Sequence, residues 1–95
     1  MKIRWTKAAS QDLDSIHDYI SRDNPKAAVD QVMRVIHVIE EHLADNPWMG
    51  RAGRLSNTRE FAVPGTPYIT IYQVTNDVLE ILRVLHGAQQ WPPIS

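Results

Sequence analysis

Apolar positions in the first half of the chain recur with a helical period. Ala9, Leu13, Ile16 and Ile20 are spaced i, i+4, i+7 and i+11 and form one stripe, with Asp12, Asp14 and Asp18 off it. Thr6 precedes this stripe and supplies a hydroxyl that can take a free backbone N–H of a first helical turn. The pattern predicts a helix ending near Arg22-Asp23. Asn24-Pro25 then opens a second helix, because asparagine caps well and the missing proline N–H is harmless in the first turn. Ala28, Val32, Val35, Ile39 and Leu43 line that helix, flanked by Val29 and Ile36. Its apolar arc is the wider of the two, so it is expected to lie deeper. It ends near Asp45, before Asn46-Pro47. The short linker predicts an antiparallel helical hairpin.

The period changes to that of strands in the second half. Lys2 to Trp5 is a short strand candidate ahead of the helices, and Thr58 to Val63 begins the C-terminal set. Pro64-Gly65-Thr66-Pro67 is a turn, Tyr68 to Val74 an aromatic and β-branched strand, and Thr75-Asn76-Asp77 a tight hairpin loop. Val78 to His86 is the last strand. Regular alternation puts Val78, Leu82 and Val84 on one face and Leu79, Ile81 and Leu85 on the other, so both faces are apolar and the strand is expected to be central and covered. Residues 46–57 form a breaker-rich loop in which two glycines flank Arg51 and Ala52. The resulting order is β-α-α-β-β-β: an α+β fold with an antiparallel sheet packed on an N-terminal helical hairpin, read as one domain over residues 1–95.

Composition narrows the chemistry. The chain has no cysteine, which removes disulfides and thiolate metal sites, and it holds no run of about 18 apolar residues. The cytoplasm is the expected location, with no membrane partner. The formal net charge of −1 does not advertise nucleic-acid binding, but its distribution is uneven. Residues 1–47 sum to −2 and residues 48–95 to +1, and the basic residues of the second half are all arginine. Arg51, Arg54 and Arg59 fall within nine residues without an intervening acid, a local basic patch.

Several residues are candidates for function. Arg83 is a cation in an apolar strand; it either meets a phosphate or partner, or completes the fold by pairing with a carboxylate such as Glu60. His86 at the strand end is either an acid–base group or a histidine satisfied by a backbone carbonyl. Arg51 and Arg54 are read as the cations free to touch a partner, against the alternative of a solvated loop. Tyr19, Trp48 and Met49 are candidates for an exposed apolar patch that suits a segment folding on binding. Trp91 either covers the sheet edge or contacts a target. His37 and His42 are five apart, the wrong spacing for two ligands on one helix face, and no metal or cofactor is expected.

Ordered along nearly the whole chain, these features resemble the RelE/ParE superfamily of toxins from type II toxin–antitoxin systems. The resemblance rests on Ile3-Arg4-Trp5 with Ala8 and Asp12-Leu13, Asp18-Tyr19-Ile20, Pro47, Gly50-Arg51, Thr58-Arg59-Glu60, Tyr68-Ile69 and Tyr72. Its most specific piece is Val78-Leu79-Glu80-Ile81-Leu82-Arg83-Val84-Leu85-His86-Gly87. The ParE branch is the nearer likeness. Residues 48–95 lack the lysines, and the end of the last strand lacks the tyrosine, that RelE-type nucleases usually present. The resemblance implies a growth-inhibiting protein, as in plasmid stabilization. Its target is DNA gyrase in the ParE branch, or ribosome-bound mRNA in the RelE branch, where Arg59, Arg83 and His86 would be catalytic. A third alternative is a non-toxic homologue that keeps antitoxin binding. The implied partner is a cognate antitoxin with a DNA-binding N-terminal half and a disordered C-terminal half, operator DNA being bound only by the complex.

Overall fold

A computed structural model describes residues 1–93. The elements are β1 (Lys2–Trp5), α1 (Lys7–Ser21), α2 (Pro25–Asp45), β2 (Arg51–Ala52), β3 (Arg59–Ala62), β4 (Tyr68–Thr75) and β5 (Val78–His86). Both helix starts follow from local chemistry. Thr6 accepts the Ala9 N–H through its hydroxyl, and the Asn24 carboxamide oxygen accepts the Ala27 N–H, with Pro25 in the first turn. The wider apolar arc of α2 is the more deeply buried: Ala28, Val35, Ile39 and Leu43 are sealed, against Ala9 alone in α1.

The strands form one sheet in the order β1-β5-β4-β3-β2. β2, β3, β4 and β5 pair antiparallel, but β1 runs parallel to β5, with Lys2 opposite Val78 and Trp5 opposite Ile81. The sheet is therefore mixed where the sequence suggested an antiparallel one. Two antiparallel helices return the chain to its starting end, so β3 runs in the sense of β1, and two antiparallel pairings later β5 has that same sense and lies alongside β1. β2 adds a two-residue edge strand inside the expected loop.

β5 is an inner strand, but its faces differ from simple alternation. Ile71 pairs with Arg83 and Tyr72 with Ile81, so Leu82 is an extra residue, a β-bulge. The bulge moves Val84 to the side of Leu79 and Ile81, and these three join Val35, Ile39, Leu43, Phe61, Tyr68 and Tyr72 in the core between sheet and helices. At the hairpin before β5, Asn76 adopts φ +52°, a left-handed conformation that asparagine tolerates better than most residues.

β1 covers β5 only as far as Ile81. Beyond that point side chains take over the open edge. Thr6 donates its hydroxyl to the carbonyls of Ile81 and Leu82 at 2.9 and 3.1 Å, and Asp12 accepts the Val84 N–H at 2.9 Å. The Gln89 carboxamide oxygen faces the His86 N–H at 3.4 Å. An edge so capped offers little to an added strand.

Candidate functional site

Two groups of predicted residues occupy different parts of the molecule. The first is the segment between α2 and β3, residues 46–58, held by three buried or half-buried side chains from the sheet. Tyr72, fully buried on β4, donates its hydroxyl to the Pro47 carbonyl at 2.8 Å and accepts the Gly50 N–H at 3.0 Å. Gly50 sits so close that a Cβ there would lie 2.6 Å from the Tyr72 hydroxyl and 2.9 Å from the Glu60 carbonyl, so the approach needs glycine. Arg59 donates to the carbonyls of both Trp48 and Gly50, and its guanidinium carbon lies 5.4 Å from the Trp48 ring centre.

Glu60 is the third clamp. Its side chain is 1% exposed and receives the Arg54 backbone N–H at 2.9 Å, the Arg54 guanidinium at 3.1 and 2.9 Å, and Arg51 at 3.3 Å. A carboxylate buried this far survives as an ion only with such donors. The Arg54 guanidinium, with smaller help from the Arg54 backbone N–H and Arg51, lowers the Glu60 carboxyl from 4.5 to about 2, against the opposing effect of burial. The same hydrogen bond raises the Arg54 guanidinium. Arg54 is therefore bound to Glu60 rather than free, which corrects the expectation for it. Arg51 keeps its side chain 71% exposed and is the more available cation.

The held loop presents large apolar side chains outward. Trp48 is 61% exposed, Met49 47% and Leu55 39%. Trp48 and Met49 thus form an exposed apolar patch as the sequence suggested. Tyr19, 71% exposed on α1, does not join it; it belongs to the second group.

That second group is a cleft of about 570 Å³ between α1 and the end of β5, lined by Asp12, Ser15, Ile16, Tyr19, Tyr68, Arg83, Val84, His86 and Gln89. Arg83 pairs with Asp12, not with Glu60, through Nε at 2.7 Å and Nη2 at 2.9 Å. The Asp12 hydrogen bonds raise the Arg83 guanidinium above its ordinary value, outweighing partial burial. The Trp91 ring centre lies 5.7 Å from the Arg83 guanidinium carbon, so the half-buried indole packs on the cation at the sheet. His86 meets the Tyr68 ring edge-on at 5.9 Å, and its Nδ1 accepts the Ala88 N–H at 3.0 Å. Burial raises the Tyr68 phenol, with a smaller contribution from Tyr19.

Arg83 and His86 share the cleft although three strand positions separate them, because the Arg83 guanidinium reaches Asp12 at the open edge of β5. Arg59 is not brought to them. It sits two strands away, on β3, with its guanidinium turned to the loop carbonyls. The sequence points to the cations but not to the anchors they meet. Asp12 is one of three acids off one helical stripe, nothing marks Tyr72 as a clamp, and Glu60, the carboxylate offered to Arg83, instead holds Arg51 and Arg54.

A two-helix hairpin on a mixed five-stranded sheet is the fold of a known class of small toxins. Residues 3–91 match the family described as ParE toxin of type II toxin–antitoxin system, parDE. The chain belongs to the ParE toxin family, and a toxin of a two-part system has a cognate antitoxin as partner. It is 44% identical over 93 residues to "Putative toxin Y4kP" of Sinorhizobium fredii, covering 98% of this chain and 95% of that protein. It is 32% identical over 88 residues to Toxin RelE2 of Caulobacter vibrioides, covering 93% and 97%. Among solved structures, a chain of the chromosomal ParDE TA system from P. aeruginosa superposes with a TM-score of 0.79 at 26% identity, over 90% of this chain and 95% of that one. No helix among the described residues is long and apolar enough to cross a membrane.

Proposed function

We propose that this chain, a single folded domain acting in the cytoplasm, arrests growth by inhibiting DNA gyrase and is silenced by its antitoxin. The observation that carries the choice of target is the separate employment of the candidate catalytic side chains. Cleavage of RNA by its 2′-hydroxyl needs a base, an acid and cations converging on one phosphate. Here Arg59 serves the loop carbonyls, Arg83 serves Asp12, and His86 has its Nδ1 engaged by the Ala88 N–H. A poison that acts by binding needs no such convergence. Purified toxin added to gyrase and relaxed plasmid tests the reading: supercoiling is lost as toxin rises and returns when antitoxin is added, while full supercoiling at excess toxin refutes it.

The antitoxin in this reading has a DNA-binding N-terminal half and a C-terminal half that orders on the toxin. Operator DNA is bound by the complex, in keeping with the toxin's net charge of −1. One observation favours a second reading, a ribosome-dependent mRNA endonuclease: Arg83 and His86 line one cleft. Primer extension on translated mRNA after induction decides it, since a nuclease leaves new transcript ends and a gyrase inhibitor leaves none. Growth unimpaired by induction without antitoxin identifies a non-toxic homologue instead.

A further inference from the structure

The loop between α2 and β3 is tied to the sheet at several points. Three sheet residues, Tyr72, Arg59 and Glu60, direct their side-chain hydrogen bonds to it. Thr58 closes its far end, donating its hydroxyl to the Leu55 carbonyl at 2.7 Å while its own carbonyl accepts the Gly53 N–H at 2.8 Å. None of this hardware buries Trp48, which stays 61% exposed beside Met49. A tryptophan held out on a rigid backbone loses little conformational entropy on binding and is the residue type that most often anchors an interface.

We infer that Trp48 and Met49 are the anchors by which the toxin engages its target, and that the target is a protein face with an apolar socket and a two-signed rim. The rim follows from the charges around the loop. On one side stands Arg51, 71% exposed. On the other, the surface around Pro47 and Trp48 continues through Asp45 to Glu40 and Glu41 at the end of α2. A complementary partner sets a carboxylate against Arg51 and a lysine or arginine against the helix end. The same acids argue against a nucleic acid here, because a phosphate backbone crossing Trp48 would meet Asp45 and its neighbours. The inference rests on the toxin reading and adds to it where on the molecule the target is met.

The test compares the intact toxin with Trp48→Ala, Met49→Ala and Arg51→Glu, each induced with and without antitoxin, and each titrated as purified protein into gyrase. Trp48 stacks on Arg59, so Trp48→Ala is accompanied by Trp48→Phe, which keeps a ring there, and by Met49→Ala, whose side chain makes none of the clamping hydrogen bonds. Trp48→Ala is expected to raise the toxin concentration that halves supercoiling about 30-fold, a usual loss for an interface anchor. Met49→Ala and Arg51→Glu shift it in the same direction by less, and Trp48→Phe stays near the parent. All four are expected to melt with one cooperative transition. Three results overturn the inference: a toxic parent whose Met49→Ala and Trp48→Ala forms are equally toxic; variants inactive only because they no longer fold; or single-stranded oligonucleotide binding by the parent that Trp48→Ala abolishes. A parent that leaves growth and gyrase untouched refutes the toxin reading, and this inference with it.

Discussion

Asp12 on the first helix and Arg83 on the last strand, 71 positions apart in the chain, meet in a two-point ion pair of 2.7 and 2.9 Å. The same carboxylate takes the Val84 N–H, so one side chain both neutralises the strand's cation and closes its open edge. Removing it strands a guanidinium and a backbone donor together. Asp12→Ala is expected to cost about 2–3 kcal/mol, and Arg83→Ala less, because the Val84 N–H keeps its acceptor in that variant. Urea unfolding of the two single variants and the double variant measures this. Equal costs for the two singles, with no coupling in the double, contradict it.

Glu60 makes stability depend on pH in an acid window. Its folded carboxyl is lowered from 4.5 to about 2, so its contribution is complete above the unfolded value and disappears as pH falls through that interval. The span corresponds to a ceiling of roughly 3–4 kcal/mol. Glu80, lowered by Arg4 and then by Gln73, adds a contribution of the same sign. Urea midpoints of the parent are expected to drop between pH 5 and 2, and Glu60→Gln to flatten most of that slope while lowering the midpoint at pH 7. A slope of the same size in Glu60→Gln excludes Glu60 as its source.

Thr70 lies wholly buried on β4 with no hydrogen-bond partner for its hydroxyl. An unpaired polar group in an apolar site costs free energy that a methyl of the same shape does not. Thr70→Val is expected to stabilise the protein by about 1 kcal/mol, read as a higher melting temperature. A lower one shows that the hydroxyl has an acceptor in solution.

His86 separates the two readings of the cleft. Its side chain is at the exposed end of β5 and contributes nothing to the clamps on the Trp48 loop. His86→Ala is expected to arrest growth as the parent does. A general acid or base contributes on the order of 100-fold or more, so loss of arrest in a folded His86→Ala protein favours the nuclease.

Much of the fold is legible in the sequence because it is local. Thr6 and Asn24-Pro25 announce the helix starts, the stripe width ranks the helices by burial, and the loop at Asn76 announces the last hairpin. What is not legible is decided across the chain. The parallel course of β1 depends on how the helical hairpin returns, and the bulge at Leu82 reassigns Val84 without any change in the alternating pattern. The candidate site divides the same way. Exposure of Trp48 and Met49 follows from apolar residues among breakers. The partner of Arg83 is a contact between an N-terminal acid and a C-terminal cation, and no spacing rule links Asp12 to it. Arg54 looked free for a similar reason: only the folded sheet turns Glu60 toward the loop.

Holding gyrase and cutting message leave different marks inside cells. Toxin is induced without antitoxin while chromosome integrity and the rate of protein synthesis are followed together. Gyrase inhibition is expected to give double-strand breaks that appear before synthesis slows, with transcripts intact. An unbroken chromosome alongside an immediate halt in translation and newly cut mRNA contradicts it.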